Sequence, residues 1–256
     1  MVASARTEGA TRDGSTIDPA EVARFEGIAK TWWDPKGPMA VLHKFNPVRL
    51  AFIRDLACAR FGRDPKTIRS LEGLTLVDIG CGGGVLSEPL ARLGAQVTGL
   101  DPAPTNVAVA RSHTEAAGLS VDYRQETIEA LVAEGARYDI VLAMEVVEHV
   151  ADVEAFVGAC CAAVKPGGML VMATLNRTLK SYALAIVGAE YVLRWLPRGT
   201  HDWEKFVKPD ELGDAIARCG LDLGETTGVT YNPLTDRWSA SHDTDVNYMM
   251  VAYGPA

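Results

Sequence analysis

Leu74-Thr-Leu-Val-Asp-Ile-Gly-Cys-Gly-Gly-Gly84 decides the fold. A β-prone apolar run, Leu74 to Ile79, stops at a glycine cluster, and a helix-like apolar pattern follows from Val85 to Leu93. This reads as a strand, a tight turn and a helix start. Glycines in the turn leave no side chain where a ligand would approach the backbone. Working outward, Gln96–Leu100 reads as a second strand that ends on Asp101, 21 residues past Gly80. A carboxylate there can accept two hydrogen bonds from a ribose diol, although a plain helix cap would account for Asp101 as well. The pattern points to a ligand of the adenosine type.

The fingerprint is not that of a dinucleotide site. A G-x-G-x-x-G series begun at Gly80 and Gly82 needs a third glycine at position 85, where Val85 stands. The Gly-Lys-Ser/Thr of a Walker loop is absent. The run resembles motif I of the class I S-adenosylmethionine (SAM) methyltransferases. That ligand carries no pyrophosphate, so a glycine-lined floor and one ribose carboxylate suffice.

At 256 residues the chain suits one α/β domain with additions, or at most two small ones. With 48% hydrophobic and 23% charged residues it can bury a real core. The net charge of −8 argues against a nucleic-acid partner, which needs a basic face. Cys58, Cys81, Cys160, Cys161 and Cys219 form no CxxC pair, which fits free thiols in a reducing compartment. No apolar signal segment opens the chain, and no stretch approaches 18 uncharged apolar residues, so neither secretion nor a membrane span is expected.

Along the chain, residues 1–16 are small and polar and read as a disordered tail. Residues 17–70 form a helical extension. Asp18-Pro19-Ala20-Glu21 is a helix start running to about Lys30, and a second helix is expected to reach Phe61, after Asn46-Pro47-Val48-Arg49. From residue 71 to 256, strand candidates at 74–79, 96–100, 120–124, 138–144, 168–174, 222–231 and 245–253 alternate with helix candidates at 84–93, 103–117, 152–164 and 208–219. Such alternation predicts a Rossmann-like α/β fold with a mostly parallel sheet. Lys165-Pro-Gly-Gly168 reads as a helix stop and turn. The last two strands follow one another without a helix, which predicts a final antiparallel pair. Residues 177–208 interrupt the alternation as an insertion at the ligand-binding end of the sheet, with six basic and three acidic residues and an apolar run, Tyr182–Leu196.

The strand Tyr138–Met144 runs straight into Glu145-Val-Val-Glu-His149-Val150. Its carboxyl end abuts the cleft. Met144 is placed to pack on an adenine face. Glu145, Glu148 and His149 fall at one-turn spacing and suit a divalent cation with open positions for substrate oxygens. Metal-free methyltransferases carry similar Glu-x-x-x-His runs, with the Glu as a helix cap or the His as a base. Trp32 and Trp33 read as core or lid packing; His43, His201 and Asn176 are weaker candidates for the substrate side.

Lys30-Thr-Trp-Trp-Asp34, Leu42-His-Lys-Phe-Asn-Pro-Val-Arg49, Asp78-Ile-Gly-Cys-Gly-Gly-Gly84, Glu145-Val-Val-Glu-His149, Thr174-Leu-Asn-Arg177, Val187-Gly-Ala-Glu-Tyr191, Gly199-Thr-His-Asp202, Tyr231-Asn-Pro233 and Asp245-Val-Asn-Tyr248 occur in order. Together, over residues 18–253, they resemble the ubiquinone-biosynthesis O-methyltransferase family. The resemblance implies SAM as cofactor, held by Arg49, Gly80, Gly82, Asp101 and Met144, with Arg49 on the methionyl carboxylate. It implies a divalent cation, magnesium or zinc, at Glu145, Glu148 and His149, with Glu145 and His149 serving catalysis. It implies phenolic or catechol hydroxyls of polyprenylated rings as acceptors, at both O-methylation steps of ubiquinone synthesis. Other proteins of that pathway would be partners. The location would be cytoplasmic. By its own basic and apolar character, the 177–208 insertion reads as a lid over the substrate tail, a contact with the inner face of the membrane, or both. Two alternatives stay open: a methyltransferase for another small molecule, and a non-catalytic SAM-binding subunit of a complex.

Overall fold

The computed structural model describes residues 16–186 and 202–255. Most of the expected tail, the Val187–Tyr191 motif, His201 and the centre of the 177–208 insertion lie outside the described residues. The elements in chain order are α1 (Pro19–Gly27), α2 (Ala40–Arg60), β1 (Thr75–Ile79), α3 (Ser87–Arg92), β2 (Gln96–Leu100), α4 (Pro104–Ala116), β3 (Asp122–Arg124), α5 (Ile128–Ala133), β4 (Tyr138–Met144), α6 (Val153–Ala162), β5 (Val164–Leu175), α7 (Leu179–Ser181), α8 (Pro209–Arg218), β6 (Asp222–Asn232), β7 (Arg237–Ser241) and β8 (Asn247–Tyr253). Asp18 caps α1 through the Ala20 amide at 3.0 Å, with Pro19 in the first turn, as its sequence predicts.

The eight strands form one sheet in the order β3-β2-β1-β4-β5-β8-β6-β7. Strands β3, β2, β1, β4 and β5 are parallel, whereas β8 runs antiparallel between β5 and β6. The expected antiparallel ending is therefore present, but it has a third member, β7, which pairs with β6 as a hairpin. Side chains alternate across the sheet. Val77, Val141 and Ala143 face a core shared with α5, α6 and α8, while Leu76, Ile140 and Leu142 face one shared with α2 and α3. Burial on both faces explains why these strands read as largely apolar runs.

Two local readings change. Helix α2 begins at Ala40 and carries Pro47 inside it, so the segment expected as a lead-in is already helical. Lys165–Gly168 lies within β5, but the pairing jumps from Tyr138↔Val164 to Ile140↔Met169. The four residues bulge out there, with Gly167 at φ +71°, so the expected turn survives as an irregularity of the strand.

The chain order reverses between β1 and β4. In an open α/β sheet the crevice lies at the carboxyl ends of the strands that flank such a reversal. Gly80 follows β1 and Glu145 follows β4, so both sit at that point.

Candidate functional site

A cavity of about 630 Å³ opens at this crevice, and Arg49, Gly80, Gly82, Asp101, Met144, Glu145 and His149 all line it. Residues drawn from positions 49 to 149 of the chain thus meet in one place.

The glycine loop is held from two sides. Gly80 and Gly82 take φ +68° and +54°, the left-handed region that disfavours side chains. A Cβ on Gly80 would lie 2.6 Å from Val146 Cγ2, and one on Gly82 would lie 2.5 Å from the Trp32 ring. The glycines are required by this protein packing as well as by any ligand. Trp32 is buried over the loop and donates from Nε1 to Asn106 Oδ1 at 2.9 Å. Asp101 Oδ2 accepts from the Gly82 amide at 2.9 Å, and its Oδ1 accepts from the Ala103 amide at 2.9 Å and Asn106 Nδ2 at 3.1 Å. It therefore acts as a clamp on the loop and on the start of α4. With three of its four lone pairs used, one direction on Oδ2 remains for a ligand hydroxyl, where the sequence suggests a pair. Burial raises the Asp101 carboxyl above its ordinary range, and these three donors work against that.

On the opposite wall, α2 presents Phe45 and Arg49 one turn apart, with the guanidinium carbon 4.1 Å from the Phe45 ring centre. Arg49 Nη2 donates to Glu145 Oε1 at 2.9 Å. Asp78, buried in the middle of β1, accepts from Ser87 Oγ at 2.6 Å. Burial pushes its pKa up to about 6, against the pull of Ser87 and Arg49 and with some help from the charge of Asp101. A carboxylate in an apolar strand two residues before a glycine turn is a signal the sequence reading passed over.

The expected cation triad is not assembled. Glu145 turns to Arg49. Glu148 is buried and accepts from Thr174 Oγ1 at 2.9 Å, and its Oε1 has no partner among the described residues. Burial pushes Glu148 up to about 7, with the charge of His149 opposing and that of Glu145 adding. His149 Nδ1 lies 3.1 Å from Glu21 Oε2 of α1 and 3.5 Å from Arg24 Nη2, with its ring edge-on to Phe25. Among the described residues no group of three His, Cys, Asp or Glu side chains is placed to hold a metal ion. The short 3-10 turn Val147–His149 sends the three side chains apart, where a regular helix would have stacked them.

Glu21 is the functional-site residue that sequence reasoning missed. It lies 128 positions before His149, so no spacing connects them. Burial alone would raise its pKa, but His149, Arg24 and Lys205 outweigh that and hold it below the ordinary value. Two weaker candidates are structural ties. His43 Nε2 donates to the Trp32 carbonyl at 2.7 Å, outside the cavity, and Asn176 Nδ2 donates to the Thr244 carbonyl at 2.9 Å.

Comparison with known proteins agrees with this geometry. Residues 77–172 match the family described as methyltransferase domain. In fold, the chain is similar to magnesium protoporphyrin IX methyltransferase from Synechocystis PCC 6803, at TM-score 0.62 and 19% identity over 91% of this chain and 94% of that one. It is similar also to an N-methyltransferase from Bradyrhizobium japonicum WM9, at TM-score 0.58 and 15% identity over 92% and 99%. Both of those structures were solved with S-adenosylhomocysteine (SAH) bound. The fold is that of the class I SAM-dependent methyltransferases.

Two relatives narrow the class. The chain is 68% identical to the ubiquinone biosynthesis O-methyltransferase of Methylobacterium sp. (strain 4-46), over 95% of this chain and 98% of the relative. It is 66% identical to that of Methylobacterium nodulans, over 94% and 97%. The chain belongs to the ubiquinone biosynthesis O-methyltransferase family.

Proposed function

We propose that this enzyme methylates phenolic oxygens of polyprenylated rings, at both O-methylation steps of ubiquinone synthesis. The observation that carries the reading is the near-full-length identity to relatives of that name. The cavity fits it: its lining combines the polar Asp101, Arg49 and Glu145 with the apolar Val22, Phe25, Leu42, Leu184 and Trp238. The polar groups suit SAM. The adenosine side would meet Gly80, Gly82, Asp101 and Met144, and the methionyl carboxylate would meet Arg49. When bound, SAM supplies a methyl group activated on a sulfonium.

The residues of this chain have two tasks. They align acceptor oxygen with methyl group in a cleft shielded from water, and they remove a proton from a phenol whose pKa is about 10. His149 is the base this geometry favours. Its Nδ1 lies 3.1 Å from Glu21 Oε2 and 3.5 Å from Arg24 Nη2; in the tautomer with Nδ1 protonated toward Glu21, Nε2 is the atom left to accept a proton. The donor set, with its three side chains turned apart, does not fit a resident cation. A chelator decides the matter. Activity that persists in EDTA supports His149 alone, whereas loss with rescue by magnesium or zinc would restore Glu145, Glu148 and His149 as ligands.

Asp101→Ala should weaken SAH binding by about 1.5–3 kcal/mol, the worth of one hydrogen bond to a charged group. An unchanged dissociation constant in calorimetry would sink that assignment. The acceptor is tested by mass spectrometry of methylated products from catechols with and without a prenyl tail. Turnover of the prenylated catechol is expected; methylation of neither catechol would leave another acceptor or a non-catalytic role.

A further inference from the structure

Asn247, the first residue of β8, lines the cavity and is only 8% exposed. It stands where two ladders part. Gly228↔Tyr248 is the last pair between β6 and β8, and from Val229 onward β6 pairs with β7. At that point the Val229 amide donates to Asn247 Oδ1 at 3.1 Å. A backbone N–H can only donate, so this bond fixes which end of the side-chain amide is oxygen and which is nitrogen. Nδ2 then carries two donors and has no partner among the described residues. Asn176, beside it at the end of β5, has its Nδ2 engaged with the Thr244 carbonyl. A buried amide donor without an acceptor, on the wall of a cavity, points to an oxygen of a ligand.

The order of the strands decides which ligand. Gly80, Asp101 and Glu145 follow β1, β2 and β4, whereas β8 lies two strands beyond β4, about 10 Å across the sheet. Toward β6 and β7 the wall becomes aromatic. The ring centres of Phe45 and Tyr231 each stand 5.2 Å from that of Trp238, tilted by 35° and 45°, and all three rings line the cavity. Tyr231 donates to Asp236 Oδ1 at 2.8 Å, and Asp236 pairs with Lys44 Nζ at 2.7 Å, so the β6–β7 hairpin is tied to α2 and the wall is held in place. Such a wall suits a flat aromatic ring. We propose that Asn247 Nδ2 donates a hydrogen bond to a phenolic oxygen of the acceptor, whose ring lies against Trp238, and so binds the phenolate more tightly than the phenol. The inference rests on the reading of the acceptor as a phenol. A donor favours the form of its partner that bears the negative charge, which eases removal of the phenol's proton by the base. The amide does this with no proton of its own to lose.

The test is the visible spectrum of a prenylated nitrocatechol bound to the SAH complex, followed against pH in EDTA, because the ionised probe absorbs at longer wavelength than the neutral one. Asn247→Leu removes the donor and brings no charge. It should raise the pH at which the bound probe ionises by about 1–2 units, as expected for loss of a hydrogen bond to a charged group. Asn247→Asp keeps an oxygen for the Val229 amide but turns an acceptor toward the probe, and should raise that pH further. Glu145, His149, Lys180 and Asp243 line the same cavity and are unchanged in all three proteins, so the differences read position 247. SAH affinity within about threefold of wild type shows that the variants are folded. A leucine variant whose bound probe ionises as in the wild type overturns the proposal. So does loss of SAH together with the probe in both variants, which makes Asn247 a structural tie. A difference that appears only when magnesium or zinc is added overturns it in favour of a metal site. If the wild-type SAH complex does not bind the probe at all, the phenol reading fails and the proposal with it, and that failure is told apart from the others.

Discussion

Gly80 shows how much of a cofactor motif is decided by the protein's own packing. Its φ of +68° and the 2.6 Å separation that an added Cβ would have from Val146 leave no room for alanine. Gly80→Ala should lower stability by about 2–4 kcal/mol, from left-handed strain plus displacement of Val146. Urea unfolding measures it, and a loss below about 0.5 kcal/mol would show that the turn relaxes freely. Glu148 makes a second test. Its carboxyl titrates near 7 in the folded chain against an ordinary 4.5, and Asp78 near 6 against 3.8. A raised carboxyl pKa means that the folded state holds protons the unfolded chain has already released. The stability these two groups contribute is therefore greatest at the acid end and falls as pH rises from about 4 to 7, levelling above that. The wild type should lose on the order of 1–3 kcal/mol between about pH 5 and 8 from this source. Glu148→Gln should lose less over the same interval. Parallel curves for the two proteins in denaturant titrations at each pH would refute the assignment.

Among the elements, the segment before α2 has the largest local consequence. Trp32 covers Gly82 and Gly83, and through Asn106 it reaches the Asp101 clamp, so the N-terminal extension closes the floor of the site. Trp32→Phe keeps most of the ring contact but strands Asn106 Oδ1, and should cost about 1–2 kcal/mol. Trp32→Ala should cost about 3–5 kcal/mol and weaken SAH binding as the loop loses its cover. Equal costs for the two variants would remove the role given to the indole N–H. These contacts also mark the limit of what the sequence discloses. The parallel strands were legible because both faces are buried and glycine turns punctuate them; the gathering of Gly80, Asp101 and Glu145 followed from their places at strand ends, whereas Arg49, on α2, was reached only through the family resemblance. Helix α5 was missed because six residues show no full apolar period, and β7 because Arg237–Ser241 is an edge strand with little apolar patterning. Pro47 hid the first turns of α2, since a proline inside a helix normally reads as its boundary. The Glu21–His149 contact was out of reach, because only tertiary packing of α1 brings it about.

For the whole molecule the open matter is how so greasy an acceptor reaches the cleft. Among the described residues no helix is long and apolar enough to cross a membrane. The 177–208 insertion carries a net charge of +3, while the rest of the chain carries −11. Its described beginning exposes Leu179 at 82%, Leu184 at 54% and Tyr182 at 48%, beside the basic Lys180. Leu184 and Lys180 also line the cavity, so this exposed apolar edge is continuous with the cleft. Apolar side chains flanked by lysine and arginine are what an anionic interface retains, the former by burial in the headgroup region and the latter by surface potential. The strongly acidic remainder would be repelled by the same surface, and a molecule held in this way would turn its cleft toward the lipid. Liposome sedimentation reads this directly. Binding should require anionic lipid and fall as salt is raised, because each basic residue near the surface contributes about 1 kcal/mol and is screened within a Debye length. Arg194→Glu with Arg198→Glu should release most of the protein, and Leu184→Ser should weaken binding without changing its salt dependence. A wild type that stays in the supernatant with anionic vesicles at low salt would instead make the insertion a cover for the acceptor's tail, and the tail would then have to be delivered to the cleft from a carrier rather than drawn from the bilayer.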